Sequence, residues 1–251
     1  MTTSNRVTYL GHATVRIELD GARLLTDPIL RSRVGPLRRH GASPPPDTAS
    51  NLDAVLISHL HRDHTDLPSL RRIGRDVPLL APRGAGKLLQ QRGFSEVSEL
   101  APGDTGKVGA VTVTAVEARH SGERRGAPGA QAIGYLLDGR HRIYFAGDTD
   151  LFEGMADFGC ALDLALLPIW GWGPNLGPGH LDPERAARAV ALLSPRVVVP
   201  IHWGTLYPLG LGRLRPDPLR SPPLEFAAHA RSLAPDVEVR VLEPGEATAL
   251  P

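Results

Sequence analysis

The chain of 251 residues is 41% hydrophobic and 22% charged with a formal charge of +1, values of an ordinary globular protein long enough to bury a sizeable core. A near-neutral chain has no global field to gather polyanions, so no nucleic-acid partner is expected. The lone Cys160 excludes an intrachain disulfide and a cysteine-rich zinc site, and no apolar run reaches the ~18 residues of a membrane span.

Residues 7–10 and 14–19 read as strands, the second alternating Val15, Ile17 and Leu19, and Asp20-Gly21 offers a tight turn into residues 23–26. Residues 31–51 are rich in Arg, Gly and Pro, with the run Pro44-Pro45-Pro46, and predict a long irregular loop of the kind that serves as a lid. Beyond it, short apolar strands at 54–57, 78–80, 111–116, 133–137, 143–146, 164–167 and 197–201 alternate with helical patterns. One helix spans 86–91 and is closed by Gly93; another has Asp182 as N-cap, Pro183 in its first turn and Pro195 beyond its end. The alternation predicts α/β layers, and with no linker or repeat it predicts one domain over 1–251. Met1 to Leu10 has no apolar signal core, so a reducing cytoplasm is the expected compartment, where any lipid-derived substrate is met peripherally.

The segment Ile57-Ser58-His59-Leu60-His61-Arg62-Asp63-His64 packs three imidazoles and a carboxylate directly after an apolar strand. Zinc and its neighbours favour imidazole nitrogen together with carboxylate oxygen, whereas a chance set of surface histidines rarely clusters so densely. His120, Asp148 and His202 each follow a further strand-like run, and ligands at the ends of several strands converge on one crevice in an α/β sheet.

This order of residues resembles the metallo-β-lactamase superfamily, whose signature is a His-x-His-x-Asp-His loop followed by separate His, Asp and His ligands. The resemblance implies an αββα four-layer sandwich. It also implies two divalent metal ions, with His59, His61 and His120 on the first, Asp63, His64 and His202 on the second, and Asp148 bridging. Zinc fits these donors, and manganese or iron also accepts nitrogen and oxygen. The flanking segments Gly11-His12-Ala13-Thr14, Thr26-Asp27-Pro28, Gly179-His180-Leu181-Asp182-Pro183-Glu184 and Pro200-Ile201-His202-Trp203-Gly204 look like one branch. That branch includes L-ascorbate-6-phosphate lactonase-like proteins and the N-acyl-phosphatidylethanolamine phospholipase D. Residues 121–130 depart from the phospholipase: they are rich in Gly and Arg and lack its aromatic-containing extension.

The reaction implied is hydrolysis of a phosphodiester or related ester, with a lactone, phosphorylated or acyl, as the alternative substrate. Iron-based redox chemistry and a non-catalytic metal-binding module are further readings of the same ligands. Asp63 is a candidate proton acceptor or a ligand only, and His180, just before a helix, a candidate proton donor or a structural histidine. Asp27 either orients a ligand histidine or serves a turn, and His12 either faces the site or is structural. Trp170, Trp172, Trp203 and Tyr207 wall an apolar pocket or pack beneath loops. Arg38 and Arg39 grip a phosphate or are solvated loop charges. His40, His141 and His229 have no partner pattern. A homo-oligomer is the default expectation.

Overall fold

The computed structural model describes residues 5–124, 129–173 and 176–251. β1 (Arg6–Gly11), β2 (Thr14–Leu19) and β3 (Ala22–Thr26) form an antiparallel meander with Val7, Tyr9, Val15, Ile17 and Leu19 facing inward. Asp20 and Gly21 both take positive φ, 49° and 87°, which matches the right-handed twist of the hairpin they close.

Residues 31–51 correct the expectation of an irregular loop. β4 (Arg33–Val34) and β5 (Leu37–Arg39) form a hairpin, followed by a 3-10 turn over Pro46–Ala49. Strands of two and three residues carry no readable alternation, and this hairpin is held by a strand from far along the chain.

β6 (Ala54–Leu56), α1 (Leu67–Ile73), β7 (Leu79–Pro82), α2 (Gly86–Gln91) and β8 (Val97–Leu100) extend the meander with parallel strands. The second half is built from β9 (Thr105–Val108), β10 (Val111–Glu117), β11 (Ile133–Asp138), β12 (Arg142–Phe145), β13 (Leu164–Pro168), α3 (Pro183–Leu193) and β14 (Val197–Ile201). β15 (Leu206–Pro208), α4 (Leu211–Leu214), α5 (Ser221–Leu233), β16 (Glu238–Val239) and β17 (Ala247–Ala249) complete it.

The strands make two seven-stranded sheets, β17-β1-β2-β3-β6-β7-β8 and β16-β14-β13-β12-β11-β10-β9, and the small sheet β15-β5-β4. Both large sheets feed one apolar core, where Tyr9, Val15 and Ile17 meet Val113, Tyr135, Phe145 and Leu166. α1 and α2 cover the outer face of the first sheet through Leu67, Leu70, Leu88 and Leu89. α3 lies over the second sheet beside α5, burying Ala186, Ala187, Val190 and Leu193. The result is the four-layer αββα sandwich of the metallo-β-lactamase fold.

Two reversals, β10 to β11 to β12, bring β10 into the direction of β12, and β13 and β14 run parallel to it. The carboxyl ends of these strands, with that of β6, therefore share one edge of the sandwich, where strand-following residues converge.

Candidate metal centre

The loop after β6 turns back on itself at once. The amides of His64 and Thr65 donate to His61 O, and the Thr65 hydroxyl donates to His59 O, so His59, His61, Asp63 and His64 are aimed into one buried volume. His120 arrives after β10, Asp148 after β12 and His202 after β14. The structure brings all seven of these side chains together.

Four imidazoles have one ring nitrogen fixed from outside. His64 Nδ1 donates to Asp27 Oδ2 at 2.7 Å, His120 Nδ1 to Gly179 O at 2.8 Å, and His202 Nδ1 to Trp170 O at 2.6 Å. Ser58 Oγ donates to Asp27 Oδ2 at 2.5 Å, which leaves it to accept from His59 Nδ1 at 3.0 Å. Each Nε2 is then a bare lone pair, and all four point inward. His64 Nε2 and His202 Nε2 face each other at 3.0 Å, and His120 Nε2 faces His61 Nδ1 at 3.1 Å. Asp148 Oδ2 lies 3.2 Å from His64 Nε2 and 3.9 Å from His59 Nε2, and its Oδ1 is 3.2 Å from His202 Nε2. His59 Nε2 and Asp148 Oδ1 are buried without a hydrogen-bond partner.

Opposed lone pairs and two buried carboxylates repel unless positive charge lies among them. Donor atoms spaced about 3.3–3.4 Å apart are what 2.0–2.1 Å metal–nitrogen bonds in tetrahedral geometry require. The donor set therefore fits divalent cations, and the clusters His59, His61, His120 and Asp63, His64, His202 are each tight enough to hold one.

The electrostatics agree for three of the four imidazoles. Burial holds the imidazolium form of His59 well below its ordinary range, and pulls His120 down to about 4 and His202 to about 3 despite the nearby Asp148. His64 goes the other way: burial opposes its charge, but Asp148 and Asp27 on either side push it well above the ordinary value. Burial also works against the Asp148 carboxylate, yet His202 and His64 hold it well below the usual carboxylate range.

His12 is fully buried beside the cluster. Its Nε2 lies 3.1 Å from Asp63 Oδ2, its ring centroid is 3.8 Å from that of the tilted His202 ring, and its carbonyl accepts from His202 N. His12, Asp27 and His202 all have positive φ, at 56°, 33° and 64°, a conformation that costs roughly 1–3 kcal/mol in a non-glycine residue and is kept where the surroundings demand it. Gly11 has φ 100°, and a side chain there would collide with Arg39 and Thr205.

A cavity of about 480 Å³ opens over the cluster, lined by His61, Asp63, Asp148, His180 and His202 and by an apolar wall of Val34, Leu37, Trp172 and Leu176. His180 Nε2 is 3.6 Å from Asp148 Oδ2, and its side chain is a quarter exposed to this cavity. Residues 174 and 175 lie outside the described residues, as do 125–128 of the loop that departs from the phospholipase.

Two candidates are corrected. Trp203 does not line the cavity: it is buried, stacks on Tyr9, and donates its indole N–H to Pro200 O. Arg39 does not reach out from a lid, because it is buried and its guanidinium donates to the carbonyls of Leu10 and Ile29. Both side chains fill space beneath the loops, which local sequence does not distinguish from facing a ligand. The sequence reading also missed Ser58, Thr205 and the carbonyls of Gly179 and Trp170, and for the carbonyls no sequence signal exists.

Residues 22–203 match the Beta-lactamase superfamily domain, and the chain belongs to that family. It is 34% identical over 250 residues to a metal-dependent hydrolase of Methanopyrus kandleri, spanning 96% of this chain and 98% of the relative. It is 32% identical over 235 residues to the N-acyl-phosphatidylethanolamine-hydrolyzing phospholipase D 1 of Caenorhabditis elegans, covering 81% of this chain and 64% of that protein's length. The structure of a metallo hydrolase from Ignicoccus hospitalis superposes with a TM-score of 0.76 at 29% identity over 99% of both chains.

Proposed function

We propose that the protein is a dinuclear metal-dependent hydrolase that cleaves a phosphodiester or a related ester. The observation that carries this reading is the set of four imidazoles with Nδ1 spoken for and Nε2 turned onto two buried carboxylates. His59, His61 and His120 would hold one ion, Asp63, His64 and His202 the other, and Asp148 lies between the two sets. Two such ions, zinc or manganese in the first instance, would supply a hydroxide nucleophile near neutral pH and would polarise the oxygen under attack.

The chain's own residues do the rest. Asp63 accepts from His12 with one oxygen, which orients its carboxylate to receive a proton from the nucleophile. His180, which lines the cavity, donates a proton to the departing oxygen. Val34, Leu37, Trp172 and Leu176 bind the apolar part of the substrate, and Arg62, which also lines the cavity, attracts an anionic part. Residues 31–51 act as the lid, since Val34 to Leu37 form part of the same wall.

The test pairs metal analysis by plasma mass spectrometry with hydrolysis of bis(p-nitrophenyl) phosphate and of an acylated γ-lactone. Two equivalents of metal with phosphodiester turnover are expected. Lactone turnover alone moves the substrate to the alternative class, and metal-free protein after reconstitution overturns the proposal.

A further inference from the structure

Charge is spread unevenly over a molecule that is neutral as a whole. Residues 31–40 and 206–220 carry seven arginines and a single acid, Asp217, in a chain with 28 basic and 27 acidic residues. These two segments fold into one lobe. β15 pairs with β5 and β5 with β4, the Leu209 amide donates to Pro36 O, and the α4 backbone at Gly212 abuts the His40 ring.

Two of the arginines are spent inside the fold: Arg31 forms a bidentate pair with Asp66, and Arg39 is buried. The other five, at 33, 38, 213, 215 and 220, are exposed and reach no acidic side chain among the described residues. Arg33 and Arg38 are directly opposed across the hairpin, on the face away from Val34 and Leu37. Leu214 is 79% and Leu209 57% exposed beside them, the first and third most exposed large apolar side chains in the structure.

We infer that this lobe is a docking surface for an anionic lipid bilayer, seating the mouth of the metal-bearing cavity at the headgroups. Protruding leucines interleaved with arginines bury apolar area at the acyl boundary while the cations meet anionic lipid. A second copy is a poorer fit. A two-fold contact sets a patch against itself, and here that opposes five arginines to five with one acid a side. The hairpin that carries Arg33 and Arg38 outward carries Val34 and Leu37 inward onto the cavity wall, so docking places the apolar wall next to the membrane. The inference concerns binding and holds whatever bond the centre cleaves.

The test is co-sedimentation of the metal-loaded full chain with vesicles of phosphatidylcholine, alone or with about a third phosphatidylglycerol. Binding only to the anionic vesicles, reversed by high salt, is expected. Arg38→Glu/Arg213→Glu is expected to weaken it at least 10-fold, and Leu209→Ser/Leu214→Ser to weaken it as well, with metal content and melting temperature unchanged. Arg23→Glu, exposed on β3, serves as control and is expected to bind as the parent does. Equal binding to both vesicle types, no binding to either, or an equal loss with Arg23→Glu overturns the inference. So does sedimentation velocity showing a dimer that Leu209→Ser/Leu214→Ser dissociates.

Discussion

Asp27 is the residue on which the centre's geometry turns. Its carboxylate accepts from Ser58 N, Ser58 Oγ and His64 Nδ1, and Ser58 in turn fixes His59, so one buried acid sets the tautomers of two neighbouring imidazoles, one from each donor set. Asp27→Asn removes the charge and replaces one of the two acceptor oxygens with a donor, so it is expected to weaken metal binding about 10- to 100-fold, measured by competition with a chelator; unchanged affinity refutes that role. His180 groups with His120 and Asp148 but not with His59, His61 or His64, so His180→Ala is expected to retain metal while kcat falls by about 10²- to 10⁴-fold, and loss of metal along with activity would make His180 a ligand instead. The depressed imidazoles also set a pH dependence. His120 and His202, at about 4 and about 3 when folded, refuse protons that the unfolded chain takes up below about 6.5. Their neutral forms therefore cost nothing above 6.5, and stability drains as pH falls towards 4 and then 3. His64 runs the other way, stabilising below 6.5 and losing that contribution as pH rises through its raised folded value. Because burial lowers His12, His59, His61, His120 and His202 and only His64 is raised, the melting temperature of metal-free protein is expected to fall from about pH 7 to about 5. A flat or rising profile contradicts this balance.

At the scale of elements, α1 joins residues 31–51, the proposed lid, to the loop that carries His59 to His64. Its N-cap Asp66 accepts from Ser69 N and Oγ and holds Arg31 through two hydrogen bonds at 2.8 and 2.7 Å, while Arg72 donates to Leu30 O. Asp66→Ala is expected to cost about 1–2 kcal/mol in denaturant unfolding and to raise KM more than it lowers kcat, because the lid loses its anchor while the ligands stay in place. Equal loss in both constants would place Asp66 in the chemistry instead. α3 was legible as an element because Asp182, Pro183 and the apolar stripe of Ala186, Val190 and Leu193 are all local signals. α1 and α5 were not read in the same way. α1 follows so closely on the ligand loop that its cap merges with the motif, and α5 opens on Ser221-Pro222-Pro223, which looks like a breaker although proline is tolerated in a first turn.

For the molecule as a whole, metal bound at this cluster would be part of the fold's stability. Asp63 and Asp148 sit inside a buried cluster where His59, His120 and His202 resist protonation and His64 alone readily takes a proton, so without bound cations the two carboxylates are only partly compensated where the two sheets meet. Chelation is expected to lower the melting temperature by several degrees or more, with recovery when zinc or manganese is restored; an unchanged melting point would show that the cluster tolerates emptiness. The sequence by itself determined the layered α/β architecture, the longer apolar strands and the seven converging side chains, but not the short strands β4, β5, β8, β9 and β15 to β17. Strand periodicity and the dense His-x-His-x-Asp-His run are properties of neighbouring residues, and each remaining ligand directly follows a strand. Only the tertiary structure decided which aromatics and arginines face a ligand, that residues 31–51 pair with β15, and which carbonyls orient His120 and His202. Those facts depend on partners far apart in the chain, 171 positions between Leu37 and Pro208 and 194 between Tyr9 and Trp203, and backbone acceptors leave no trace in side-chain identity.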